Sequence, residues 1–204
     1  MLILIRHGQS TANAEGLLVG RLDVPLTEMG RAQASALDGA LVGVEDVLSS
    51  PLLRARDTAA LAVPNLSAGE EPAFIEQDFG LYDGHKDADV PRDEWRAFQE
   101  SHTHRFGGGE SLADVDERVH ARLEEWRQDA DHLIHDPHRH LVVVSHVSPI
   151  KSAVAWALGV GGHVAWRLRL ENASVTTMSV RGSSPFLVTY NDVSLRTRTL
   201  PSPE

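Results

Sequence analysis

Residues 2–8 read LILIRHG: four apolar, partly β-branched residues that end abruptly on Arg6, His7 and Gly8. A run without polar alternation suits a strand buried on both faces, as in a parallel sheet covered by helices. Residues 141–146, LVVVSH, repeat the pattern and end on His146. Residues 46–49, DVLS, form a third candidate strand just ahead of Ser50 and Pro51. Two of these strands run into helix-start signals, Ser50 as N-cap with Pro51 at the first helical position, then Ser148 with Pro149.

Working outward, helices are expected over residues 27–41, 51–63, 112–134 and 149–158, the last closed by Gly159. Strands alternating with helices predict a three-layer α/β/α fold with a mostly parallel sheet. Residues 174–180 and 186–190 read as strands joined by a turn at 181–185, an antiparallel pair at the sheet edge. Residues 200–204 read as a frayed tail. The stretch 77–109 is polar and glycine-containing, with one convincing helix at 93–101, which suits a cap or specificity insert. At 204 residues the chain fits a single domain over 1–204.

A formal charge of -10 argues against broad binding to nucleic acid, which calls for a basic stripe. The opening apolar run has no basic stretch before it and no later run reaches membrane-spanning length, so the expectation is a cytoplasmic protein that does not bind membranes. A homodimer is compatible with the sequence. With no cysteine, thiolate nucleophiles and cysteine-based zinc sites are excluded.

The chemistry concentrates at strand ends, where open α/β sheets form their ligand crevice. Arg6 and His7 end the first strand, His146 ends the second, and Arg54 falls in the first turn of the helix after the third. Arginine presents a planar, permanently charged fork to phosphate oxygens, and helix N-termini add unpaired N–H groups. Positive neighbours disfavour imidazolium, so Arg6 and Arg54 should keep His7 neutral, with a lone pair free to attack phosphorus. A leaving oxygen then needs a proton, and a carboxylic acid beside a bound phosphate is the natural donor. Glu76, after Phe74 and Ile75, is the candidate. Fixed cations can do the work of Mg²⁺ here, so no metal or other cofactor is called for. Taken singly, these residues could be a core histidine, a solvated arginine or a surface carboxylate. Their convergence on one edge of the sheet makes the functional reading.

At these residues the chain resembles the histidine phosphatase superfamily, the phosphoglycerate-mutase-like fold, in its phosphatase branch. The resemblance runs in order through LILIRHGQSTAN, GRLDVPLTEMGRAQA, SSPLLRARDTA, EQDFGLYDG, GGGESLADVDER, VVVSHVSPIK and LENASVTTMSV. It implies that His7 is the nucleophile, that Arg6, Arg54 and His146 form a phosphate pocket, and that Glu76 is general acid and then base. It also implies that Asn13, Gly20 and the backbone N–H of Val147 lie close to substrate, Asn13 having a turn-capping role as its alternative. Val147 stands where glycine is frequent, Asp83 where glutamate is common in the phosphatase branch, and Ser194 where a late histidine is frequent. These departures bear on substrate identity.

The resemblance implies a phosphatase acting on a small phosphorylated substrate, with two alternatives. A mutase needs dense cationic clamping and exclusion of water, and mutases of this kind carry a longer insert with paired arginines. Here Lys86, Arg92, Arg96 and Arg105 are scattered. The second alternative, a phospholigand sensor without turnover, sits poorly with an intact catalytic set. The histidine-rich stretch 132–140 has metal-ligand residue types, but Pro137 and Arg139 favour a solvated loop. Histidines 102 and 104 are expected at the surface, and Trp95 and Phe98 to pack the cap helix down.

Overall fold

The computed structural model describes residues 1–129, 131–136, 138–182 and 184–195. Pro137, Ser183 in the expected 181–185 turn, and the expected tail at 200–204 lie outside these residues. In chain order the elements are β1 (Leu2–Arg6), α1 (Thr11–Glu15), α2 (Glu28–Ser35), β2 (Val44–Ser49), α3 (Leu53–Ala62) and β3 (Gly69–Glu70), followed by α4 (Arg92–Glu100) and α5 (Leu112–Gln128). The chain then continues through β4 (His140–Ser145), α6 (Val147–Leu158), β5 (Val175–Ser179) and β6 (Phe186–Asp192).

The sheet runs β3-β2-β4-β1-β5-β6. Neighbours from β3 to β1 pair in parallel, and the β1–β5 and β5–β6 pairings are antiparallel. Strand periodicity explains the layers. Leu2 and Leu4 face a cluster with Val119 and Leu123 of α5 and Ile150 and Val154 of α6. Ile3 and Ile5 face the opposite cluster with Ala55 and Ala59 of α3. Residues 2–5 of β1 are therefore all apolar, because both faces are covered, and Arg6 is the first polar residue at the sheet's edge. Full burial stabilises by roughly 1.5–3 kcal/mol for each large aliphatic side chain.

Register places the crevice. Arg6 pairs with Ser145, and the His7 N–H donates to Ser145 O at 2.9 Å. Ser49 pairs with Val144, and the Ser50 N–H donates to Val144 O at 2.9 Å. His7, Ser50 and His146 thus leave three adjacent strands at the same end.

Several expected boundaries move, for local reasons. The helix expected over 27–41 ends at Ser35, and left-handed Gly39 and Gly43 break the rest. The helix expected to reach 134 ends at Gln128, where Asp129 turns extended, and the His135 ring bonds the Trp126 carbonyl at 3.2 Å. Strand β3 carries no apolar run and was not expected. Neither Ser50 nor Ser148 is an N-cap: Leu52 and His146 hold those positions, with no capping side chain of their own. The caps come from afar. Asp23 Oδ1 accepts from the Leu53 N–H at 2.7 Å, and Glu76 accepts from the Val147 and Ser148 N–H groups at 3.0 and 3.1 Å.

Segment 77–109 carries its own apolar cluster, in which Phe98 and Phe106 join Val90 and Leu112, with Phe79, Tyr82 and Trp95 packed against them. Trp95 and Phe98 do pack α4 down, with ring centroids 4.8 Å from that of Phe106.

The loop after β1 meets α2 backbone to backbone. A methyl group on Gly30 would stand 2.0 Å from Gln9 O, and one on Gly8 would stand 2.3 Å from Gly30 O. Gly30→Ala should therefore destabilise the fold by roughly 1–3 kcal/mol, as overpacking does. The urea midpoint measures this, with Gly161→Ala, where a methyl meets open space, as the unchanged control.

Candidate active site

His7 is 3% exposed and His146 is fully buried, with ring centroids 5.0 Å apart and planes tilted by 56°. The His7 Nδ1 lies 2.7 Å from Gly8 O. Since a carbonyl only accepts, Nδ1 carries the proton and Nε2 keeps its lone pair. Burial is the largest cause holding the His7 pKa well below the usual imidazole value, ahead of the charges on Arg54 and Arg6. The direction matches the sequence reading, but burial outweighs the arginines. His146 is lowered likewise, first by burial and then by Arg54, His7 and Arg6.

Arg54 lies 1% exposed in the first turn of α3. Its guanidinium donates to Gly20 O at 2.7 Å and Leu22 O at 2.9 Å. Those carbonyls are held in turn by Asp83, whose carboxylate accepts from the N–H groups of Gly20, Arg21 and Leu22 at 2.8–2.9 Å. Gly20 is required because a methyl there would stand 2.4 Å from Gln77 O. Arg6 donates to Leu170 O at 2.6 Å. Burial lowers the pKa of both arginines from the ordinary value, and Glu76 counters it in each case.

Glu76 is 4% exposed, and its carboxylate accepts from the Gln77, Val147 and Ser148 N–H groups. It is therefore fixed at the N-terminus of α6, and the Val147 N–H donates to it. Asn13 takes the capping role, closing a capping box with Ser10 at the start of α1, while Asn172 donates to its Oδ1 at 3.2 Å.

The structure thus brings Arg6, His7, Arg54, Glu76 and His146 together, with Gly20 and Val147 supplying backbone groups and Asn13 at the margin. Three of the buried side-chain nitrogens without a hydrogen-bond partner among the described residues belong here: Arg6 Nε, Arg54 Nε and His146 Nδ1. The two arginine Nε groups are donors, as is His146 Nδ1 in the tautomer whose Nε2 accepts from Ser50 Oγ; unpaired buried donors are costly, and a tetrahedral oxyanion supplies the acceptors they lack.

Sequence reasoning missed Ser50, whose Oγ lies 2.7 Å from His146 Nε2, and the role of Asp83 behind Arg54. It also missed Lys151, one helical turn beyond Val147, whose spacing in VSPIK was the available signal. Histidines 102 and 104, expected at the surface, are partly buried and bonded to Asp116 at 2.7 Å and Glu94 at 3.0 Å. Among the described residues no group of three or more His, Cys, Asp or Glu is placed to hold a metal, and no helix is long and apolar enough to cross a membrane.

The model of the histidine phosphatase superfamily, branch 1, matches residues 2–193, so the chain belongs to that superfamily and is a phosphatase. It is 36% identical over 189 residues to phosphoserine phosphatase 1 of Hydrogenobacter thermophilus, covering 87% of this chain and 85% of that one. It is 31% identical to a probable phosphoglycerate mutase, GpmB, of Cronobacter sakazakii, covering 90% and 86%. Among solved structures, a mutant phosphoserine phosphatase from Entamoeba histolytica in complex with phosphoserine superposes with a TM-score of 0.83 at 26% identity, covering 95% and 98%.

Two predictions follow from the geometry. Asp83→Asn puts an N–H donor against backbone N–H groups, loosening the 20–22 loop and the seat of Arg54. A misplacement of that kind should lower kcat/KM about 10–100-fold, with a circular dichroism spectrum like that of the wild type. The second concerns pH. His7 and His146 have folded pKa values below their unfolded value near 6.5, so the unfolded chain binds more protons once pH falls below about 6.5. Stability should then drop with falling pH by about 1.4 kcal/mol per pH unit for each imidazole, until the folded pKa is reached. Urea titrations from pH 7.5 to 5.5 should show a slope shallower by about one such contribution in His146→Gln.

Proposed function

We propose that this phosphatase hydrolyses a small phosphomonoester in two steps through a phosphohistidine on His7. His7 Nε2 attacks phosphorus, the N–P bond forms, and the bond to the ester oxygen breaks as Glu76 gives that oxygen a proton. Glu76 then takes a proton from water, whose oxygen attacks phosphorus and breaks the N–P bond, releasing inorganic phosphate. Arg6, Arg54 and His146 hold the phosphoryl oxygens throughout and meet the charge that develops on them. The observation that carries this reading is the set of unpaired nitrogens on those three residues, around an imidazole held neutral with Nε2 free.

The names of relatives include both phosphoserine phosphatases and a probable phosphoglycerate mutase. Hydrolysis is the better reading because Lys86, Arg92, Arg96 and Arg105 are all exposed, so segment 77–109 offers no inward cluster of cations to retain a doubly phosphorylated intermediate. A sensor without turnover fits less well, because His7 and Glu76, the proposed nucleophile and acid, are both retained beside the buried arginines.

Mixing the protein with a radiolabelled phosphomonoester and quenching in base should trap a base-stable, acid-labile phosphoenzyme. His7→Ala should form none and lose activity, and Glu76→Gln should lower kcat roughly 10²–10⁴-fold. Full activity in His7→Ala would sink the mechanism. Isomer exchange of 3-phosphoglycerate outpacing phosphate release would favour the mutase.

A further inference from the structure

A cavity of about 170 Å³ opens beside the catalytic groups. Its lining includes Gln77, Val147 and Ser148, the residues whose N–H groups hold the Glu76 carboxylate. The proton donor must face the departing ester oxygen, so the rest of the alcohol extends from Glu76 into this space.

Its walls are the rings of Phe79, Trp95, Phe98 and Trp166, with Leu112 and Ala165. An apolar cavity of roughly 150 Å³ can hold a benzene ring, so this volume takes one ring with a small substituent. The rings are braced against each other: Trp166 stands edge-on to Phe98 at 5.0 Å, and Trp95 lies 6.3 Å from it. Among the lining residues, Lys151 is the one charged group and none is acidic. The charge of Glu76 reaches its ammonium, but that carboxylate accepts from three backbone N–H groups, and among the described residues no hydrogen bond or ion pair occupies Lys151, so it remains available to an anion.

We infer that the leaving alcohol is an aromatic-sized apolar group bearing an anionic substituent, the ring held between Trp166 and the cap aromatics and the anion by Lys151. This rests on the phosphatase reading above. It runs against an amino-acid alcohol such as serine, whose ammonium would be placed among rings with no lining carboxylate to meet it and Lys151 to repel it.

Ethyl, benzyl and 4-carboxybenzyl phosphate and phosphoserine, all esters of primary alcohols, separate recognition from leaving-group reactivity. With the full chain, kcat/KM for benzyl phosphate should exceed that for ethyl phosphate and phosphoserine about tenfold or more, and 4-carboxybenzyl phosphate should be better again. Trp166→Ala, at a side chain already 40% exposed and so tolerant of truncation, should shrink the benzyl-to-ethyl ratio. Lys151→Met should bring the carboxybenzyl-to-benzyl ratio to about one, each variant first being checked for a wild-type melting temperature.

Phosphoserine turned over as well as benzyl phosphate, or ratios unmoved in both variants, would overturn this inference and leave the phosphatase mechanism standing. If none of the four esters is hydrolysed, the result counts against turnover of primary phosphomonoesters, and the kinetic comparison gives way to binding. Calorimetric titration with 4-carboxybenzyl phosphate and phosphoserine then judges the cavity separately: tighter binding of the former supports the inference, and tighter binding of phosphoserine overturns it.

Discussion

Burial of the Arg54 guanidinium is the constraint on which much of the surrounding structure depends. A permanent charge removed from water costs several kcal/mol unless ligands replace its hydration. Here the ligands are two backbone carbonyls, Gly20 O and Leu22 O, which point inward because Asp83 takes the N–H groups of the same loop. The loop closes further on α3, where Asp23 caps the helix that carries Arg54. One charge therefore ties together residues 20–23, the 77–83 stretch and α3, three pieces far apart in sequence. The cationic pocket is rigid because loosening any of these pieces would leave the guanidinium without its ligands.

The same economy appears at the two helix starts that face the crevice. In each case a distant carboxylate, Asp23 or Glu76, replaces a local serine as cap. This releases Ser50 to bond His146. It also anchors Glu76 against the dipole of α6, where a carboxylate is favoured. A fixed carboxylate and a fixed imidazole on facing elements are the preorganisation that acyl and phosphoryl transfer sites require.

The framework of the fold was legible in residues 2–8 and 141–146, because a strand covered on both faces must be continuously apolar and its first polar residues must fall at the edge. Arg6, His7 and His146 could be placed for that reason, and Arg54 by helical spacing from the third strand. The serine–proline cap signals misled because they are local rules, overridden by carboxylates that only the tertiary structure brings near. Strand β3 was invisible, since two residues carry no periodicity. The cavity beside Glu76 escaped as well: its walls come from Phe79, α4, α5, α6 and residues 165 and 166, and no sequence spacing shows that these meet.

The groups proposed to hold phosphate sit at the ends of β1 and β4 and on α3, whereas the rings around the cavity belong largely to segment 77–109 and to residues 162–167. The two sets share little beyond Gln77 and the first turns of α6. On the proposed assignment, a substitution among the rings alters which alcohol fits without disturbing the charges assigned to phosphorus. On that assignment reaction and preference are carried by separate parts of the fold, so a lineage built on this frame could acquire new substrates by single changes in the aromatic wall while its chemistry stays fixed.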